Sequence, residues 1–198
     1  IIAAKGWNDK GGRGVAPSAS LRAFNLLADG TTYNTVNEAK ALGVIPLASD
    51  VSIFNMSYGG STWNISPSNI YLENQAPSAI TAQLASGATT LRGGKGALYV
   101  NSSGNDYYNG DSGTGAFSYC GDGENASTYK VGCYDAVFDS VFVERYIIGV
   151  GALDADNVKT KYSTPGASLW VSAFGGDNGR DTSYGTGWMY SNSTIEIA

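Results

Sequence analysis

Residues 51–60 read VSIFNMSYGG, and residues 94–106 read GKGALYVNSSGND. Each stretch contains a short, nearly continuous apolar run that is followed by serine, glycine or asparagine residues. Apolar runs of this kind are typical of strands that are covered on both faces, as in a parallel sheet. Because ligands bind beyond the carboxyl ends of parallel strands, the polar residues that follow these runs are candidates for a binding site.

Similar apolar runs are spaced along the whole chain, and the segments between them favour helices. A capping-box pattern at Thr35 and Glu38 starts the first helix, and Gly43 ends it. A second helix is predicted over residues 80–91. Right-handed crossovers between successive strands give an α/β fold, in which helices cover both faces of a parallel sheet. The five predicted strands are residues 21–27, 51–57, 97–101, 146–152 and 169–173.

Length and charge limit the class of protein. The 198 residues suit one domain, which we assign to residues 1–198. The chain has 12 basic and 17 acidic residues and a net charge of −5. Such a chain lacks the basic surface that binds phosphate backbones, so we expect no nucleic-acid partner. No apolar run approaches the roughly 18 residues of a membrane span, so we expect no membrane insertion.

The sequence contains no histidine. This excludes the usual zinc sites, and it excludes a serine–histidine or cysteine–histidine nucleophile within these residues. If the chain belongs to an enzyme, the catalytic base is a different residue type or lies outside these 198 residues.

Several features favour an exported protein, either secreted or periplasmic. The two cysteines, Cys120 and Cys133, lie in a polar segment and are candidates for a disulfide, with two unpaired thiols as the alternative. Only 15% of the residues are charged. Five Asn-x-Ser/Thr sequons point the same way, although asparagine- and serine-rich chains also produce them by chance.

Residues 106–144 show neither helical nor strand periodicity and are predicted to form a long surface excursion. This segment carries a cluster of acidic residues, Asp122, Glu124 and Asp135. Their oxygens could bind calcium, or the carboxylates could simply be solvated in a loop.

The order of several motifs resembles the subtilisin-like serine proteases, or subtilases. The motifs are IIAA at the start, RGVAPSASL, SIFNMSYGG, GKGALYVNSSGND and YIIGVGALDADNVKTKYSTPGASLWVSAFGG. The resemblance extends over nearly the whole chain, and details around LLADGTTYNTVNEAKAL and the cysteine-bearing segment are most similar to the kexin-like branch. It implies a subtilisin-like three-layer α/β fold, a serine endopeptidase function and a polypeptide substrate.

The resemblance also implies roles for seven residues. Asn105 matches the asparagine of the oxyanion hole. The other six match two substrate-binding segments. The backbone ledge that pairs with the extended substrate corresponds to Ser57, Tyr58 and Gly59. One wall of the primary specificity pocket corresponds to Ser102, Ser103 and Gly104.

The aspartate, histidine and serine of the subtilase triad have no counterparts in this sequence. We therefore expect an internal portion of a peptidase domain, truncated at both ends, that hydrolyses no peptide by itself. Two alternatives remain: a non-catalytic relative that uses the same scaffold for binding, and a secreted binding module of unrelated fold.

Calcium is a possible cofactor by the same resemblance. Asp111 matches a calcium ligand of the kexin-like branch, with a solvated loop carboxylate as the alternative. Thr62 and Thr164 stand where that branch carries an aspartate and a glutamate, which weakens the expectation of a calcium site and of a strict preference for basic residues.

The truncation has a structural consequence. We expect four or five parallel strands, with residues 51–57, 97–101 and 146–152 as consecutive neighbours. We also expect an apolar face of the sheet that the remainder of the peptidase domain, or a second chain, would cover.

Overall fold

Four parallel strands form one sheet in the order β1-β2-β3-β4. The computed structural model describes residues 1–26, 34–59, 76–105, 136–160 and 162–176. The strands are β1 (Ile53–Met56), β2 (Leu98–Ser102), β3 (Ile147–Leu153) and β4 (Leu169–Phe174). Every neighbouring pair is parallel. The predicted α/β class and the predicted order of the three central runs are confirmed.

Two helices precede β1 and β2. Helix α1 (Thr35–Ala39) continues through an irregular turn, Lys40–Val44, in which Gly43 has a φ of 137° and breaks the helix as predicted. The Asn34 side chain accepts a hydrogen bond from the Val36 N–H at 2.8 Å. The predicted capping box was therefore wrong by one residue, because Asn34 caps this helix in place of Thr35.

Helix α2 (Ser78–Gly94) packs on one face of the sheet and buries Ile80 and Leu84 completely. Its helical backbone ends at Leu91, which has a ψ of 160°. The predicted helix over 80–91 is confirmed, and it begins two residues earlier than expected.

Tyr99 joins the sheet to both helices. Its ring stacks on Phe54 of the neighbouring strand, with centroids 4.9 Å apart. Its hydroxyl donates a hydrogen bond to the Leu42 carbonyl at 2.9 Å and lies against Gly87, where a Cβ would collide with it. Helices α1 and α2 therefore cover the same face of the sheet.

The opposite face of the sheet exposes large apolar side chains. Ile53 on β1 and Leu98 on β2 face each other in the register and are 58% and 54% exposed. Val171 on β4 pairs with Val150 and is 53% exposed. Within the described residues, helices α1 and α2 lie on the other face of the sheet, the one that carries Tyr99.

The predicted strand at residues 21–27 was wrong for the part that the structure describes. Residues 21–26 form no strand, and Leu21 is 68% exposed. Arg22 instead forms a bidentate ion pair with Asp50 and also donates to the Leu47 carbonyl. A strand needs a hydrogen-bonded partner, and among the described residues β1 pairs only with β2.

Within the described part of the chain, no helix is both long and apolar enough to cross a membrane.

Candidate functional site

The carboxyl ends of β1 and β2 lie side by side. The register pairs Met56 with Asn101 at the last position of their ladder. The chain then leaves β1 as Ser57, Tyr58 and Gly59, and it leaves β2 through Ser102, Ser103 and Gly104. The structure therefore brings together the two segments that the sequence predicts to bind substrate.

The first segment, the ledge (residues 57–59), combines a side-chain hydrogen bond with a tight backbone approach. The exposed Ser57 hydroxyl accepts a hydrogen bond from the Asn55 amide at 2.9 Å. Tyr58 packs against the core. At Gly59, an added Cβ would lie 2.5 Å from the Asp139 carboxylate. A side chain at this position would have to displace that carboxylate.

Asp139 itself is held in place by the backbone that follows it. One of its carboxylate oxygens accepts hydrogen bonds from the N–H groups of Val141 at 2.9 Å and Phe142 at 3.2 Å. The other oxygen is the one that lies against Gly59. A fixed negative charge thus borders the ledge. Asp139 could not be recognised from the sequence, because no local pattern shows that a residue after the long excursion returns to the end of β1.

The second segment, the wall (residues 102–104), is anchored to β3. The Ser103 N–H donates to the Val150 carbonyl at 2.9 Å, and Ser103 is only 7% exposed. Gly104 has a φ of 91°, a conformation that glycine adopts easily. Asn105 follows directly, with an exposed side chain. Asn105 therefore lies at the carboxyl edge of the sheet, directly after two residues that are hydrogen-bonded to neighbouring segments.

A loop after β3 forms hydrogen bonds with this wall. The Ser163 and Ser103 hydroxyl oxygens are 3.1 Å apart, and the Thr164 N–H donates to the Gly104 carbonyl at 3.2 Å. Ser163 and Thr164 are 1% and 2% exposed. In the sequence, Thr164 stands out only as the residue at the position where the kexin-like branch carries a glutamate. Its observed contact with the wall is made by the backbone, so the side-chain type gave no signal.

Other candidate residues from the sequence lie outside the described residues. They are Thr62, Asp111, Cys120, Asp122, Glu124, Cys133 and Asp135. The disulfide and the calcium site consequently stay predictions. In the ranges that the structure covers, no cluster of three or more histidine, cysteine, aspartate or glutamate residues could hold a metal ion.

Comparison with known proteins identifies the family. The model of the subtilase family (Peptidase S8) matches residues 1–196. The chain therefore belongs to the subtilases.

Individual relatives agree with this assignment. The Aeromonas extracellular serine protease of Aeromonas sobria is 31% identical over 175 residues, which cover 88% of this chain and 26% of that protein. Crystal structures of the Aeromonas sobria serine protease, alone and in complex with a chaperone, each match with a TM-score of 0.63 and 24% identity over 84% of this chain. These structures support the fold. The chain spans about a quarter of the length of these relatives, 26% in each case.

Proposed function

We propose that these residues form the substrate-binding and oxyanion-stabilising part of a subtilisin-like serine endopeptidase. The observation that carries the proposal is the juxtaposition of the ledge and the wall at one edge of a parallel sheet, with Asn105 directly after the wall. An extended peptide would pair with the ledge, and its scissile carbonyl would face the Asn105 amide.

In this role Asn105 is a candidate catalytic residue. Acyl transfer develops negative charge on the carbonyl oxygen, and an amide N–H aimed at that position stabilises the tetrahedral intermediate. The donor must be in place before the reaction. The buried hydrogen bonds of Ser103 and Gly104 supply that rigidity.

The nucleophile and its base would come from polypeptide outside these residues. Attack by serine requires an adjacent base, and the sequence contains no histidine. The 198 residues alone should therefore hydrolyse no peptide. We expect the complete protease to be exported and to act on polypeptides.

The exposed face of the sheet would be covered by the rest of the peptidase domain. Ile53, Leu98 and Val171 together form an apolar patch of the kind that drives association. The matched residues make up only 26% of each relative, so these relatives are more than three times as long as this chain and contain additional polypeptide.

The proposal is tested with the complete gene product and with the 198-residue chain, each incubated with a fluorogenic peptide library. The complete product should cleave peptides and lose activity to a serine-directed phosphonate, whereas the chain should be inactive. Peptide binding without cleavage by the complete product would favour a non-catalytic relative.

A further inference from the structure

The wall is hydrogen-bonded to a loop that has no role in the proposed function described above. This loop, the buttress loop (residues 159–160 and 162–164), follows the turn after β3. Three of its residues are almost completely buried: Thr160, Ser163 and Thr164, at 0%, 1% and 2% exposed. Buried polar groups are costly unless they are hydrogen-bonded, so their partners show what the loop holds.

Ser163 is the centre of these interactions. Its hydroxyl oxygen accepts a hydrogen bond from the Ala152 N–H on β3 at 2.9 Å. The same oxygen lies 3.1 Å from the Ser103 hydroxyl of the wall. One buried atom therefore joins β3 to the wall.

The backbone of Ser163 is fixed on two sides. Its N–H donates to the Thr160 hydroxyl at 3.3 Å. The Lys159 ammonium donates to the carbonyls of Thr160 at 2.8 Å and Ser163 at 3.1 Å. The Lys159 side chain therefore links two carbonyls of the same loop.

We propose that Ser163 is a positioning residue for Asn105, an inference that rests on the proposed function. Asn105 follows the wall directly, so the position of its amide depends on how firmly Ser103 and Gly104 are held. Ser163 holds Ser103 through its hydroxyl, and the adjacent Thr164 N–H holds the Gly104 carbonyl. A displacement of about 1 Å in a catalytic group costs up to about 100-fold in rate. Loss of the Ser163 hydroxyl would therefore slow the chemical step without weakening substrate binding.

The test is a double-mutant cycle in the complete gene product, with kcat and KM measured for Ser163→Ala, Asn105→Ala and the pair. Ser163→Ala should lower kcat about tenfold or more and change KM less than about threefold. In the Asn105→Ala background, Ser163→Ala should change kcat less than about twofold, because the amide that Ser163 positions is already absent. Ser52→Ala is the matched control, since it removes an exposed hydroxyl just before β1, at the opposite end of the strands, and should leave kcat unchanged.

The outcomes separate this inference from the proposed function. An equal fall of kcat in both backgrounds would show a general structural role and overturn the positioning role, while the function of Asn105 stands. If Asn105→Ala alone leaves kcat unchanged, the proposed function fails, and the inference fails with it.

A second variant covers the case in which Ser163→Ala does not fold. Thr160→Val keeps the side-chain shape and removes only the acceptor of the Ser163 N–H. It should show the same background dependence, and equal effects in both backgrounds would again overturn the inference. Independently of turnover, amide exchange at Ser103 and Thr164 should become about tenfold faster or more in either variant. Unchanged exchange at both amides would contradict the link between buttress loop and wall.

Discussion

The Asp139 carboxylate fills the space into which a side chain at Gly59 would project. A Cβ at that position would lie 2.5 Å from the carboxylate oxygen, inside van der Waals contact. The other oxygen of Asp139 is held by two backbone N–H groups. The carboxylate therefore cannot rotate away without losing those hydrogen bonds. A change at Gly59 in the ledge should consequently disturb the segment before β3.

We predict that Gly59→Ala destabilises the protein by about 1–3 kcal/mol, the usual cost of an overpacked contact. The measurement is the free energy of unfolding from urea titration. Asp139→Ala removes the obstacle, so the two changes should be less costly together than the sum of their separate effects. Strict additivity would contradict the contact.

We predict that Tyr99 makes the protein sensitive to alkaline pH. Burial raises the pKa of Tyr99 above its usual value of 10.0, and a hydrogen bond with Gln83 lowers it in part. The unfolded chain releases the proton near pH 10 while the folded protein retains it, so this contribution to stability is complete below pH 10 and is lost as the pH rises above it.

The matching variant is Tyr99→Phe, compared with the wild type by urea unfolding at about pH 8 and about pH 11. At the lower pH the variant should be about 1 kcal/mol less stable, because the Leu42 carbonyl loses one of its two donors and keeps the Gln83 amide. The difference should shrink at the higher pH. Tyr146→Phe, which alters a half-buried tyrosine, is the control. A difference that does not change with pH would contradict the assignment.

We predict that the 198-residue chain self-associates through the exposed face of its sheet. Leu98→Thr, which replaces a 54% exposed apolar side chain, should shift the chain towards the monomer in size-exclusion chromatography with light scattering. Val158→Thr is the control, since Val158 is similarly exposed, at 59%, in a turn outside the sheet. A wild-type chain that is monomeric at about 50 μM would contradict this prediction.

The parts of the fold that the sequence predicts are those encoded in local patterns. The apolar runs that became β1 to β4 are nearly continuous, and a parallel sheet requires that pattern. The run at residues 21–27 is also mostly apolar, although it contains Arg22 and Asn25, and residues 21–26 form no strand. A strand forms only where a neighbouring strand is available for backbone hydrogen bonds, and composition does not show whether such a neighbour exists.

The candidate site was only partly predictable for the same reason. Asn105, the ledge and the wall lie in short motifs that can be recognised in the sequence. Asp139 and Ser163 reach the site from distant parts of the chain, Ser163 from 60 residues beyond Ser103. Their contacts depend on how β3 and its loops return to the ends of β1 and β2, which no local pattern encodes.

The most direct test of the central claim is kcat of Asn105→Ala in the complete protease. Loss of one oxyanion donor lowers turnover by about 10²–10³-fold in subtilisin-type chemistry, and KM should change little because the donor acts on the transition state. Asn8→Ala is the control, since Asn8 is an exposed asparagine whose side chain bonds only its own turn at Lys10 among the described contacts. A fall of kcat in that range for Asn105→Ala alone is the result we predict. A kcat within about threefold of the wild type would contradict the assignment of Asn105 to the oxyanion hole.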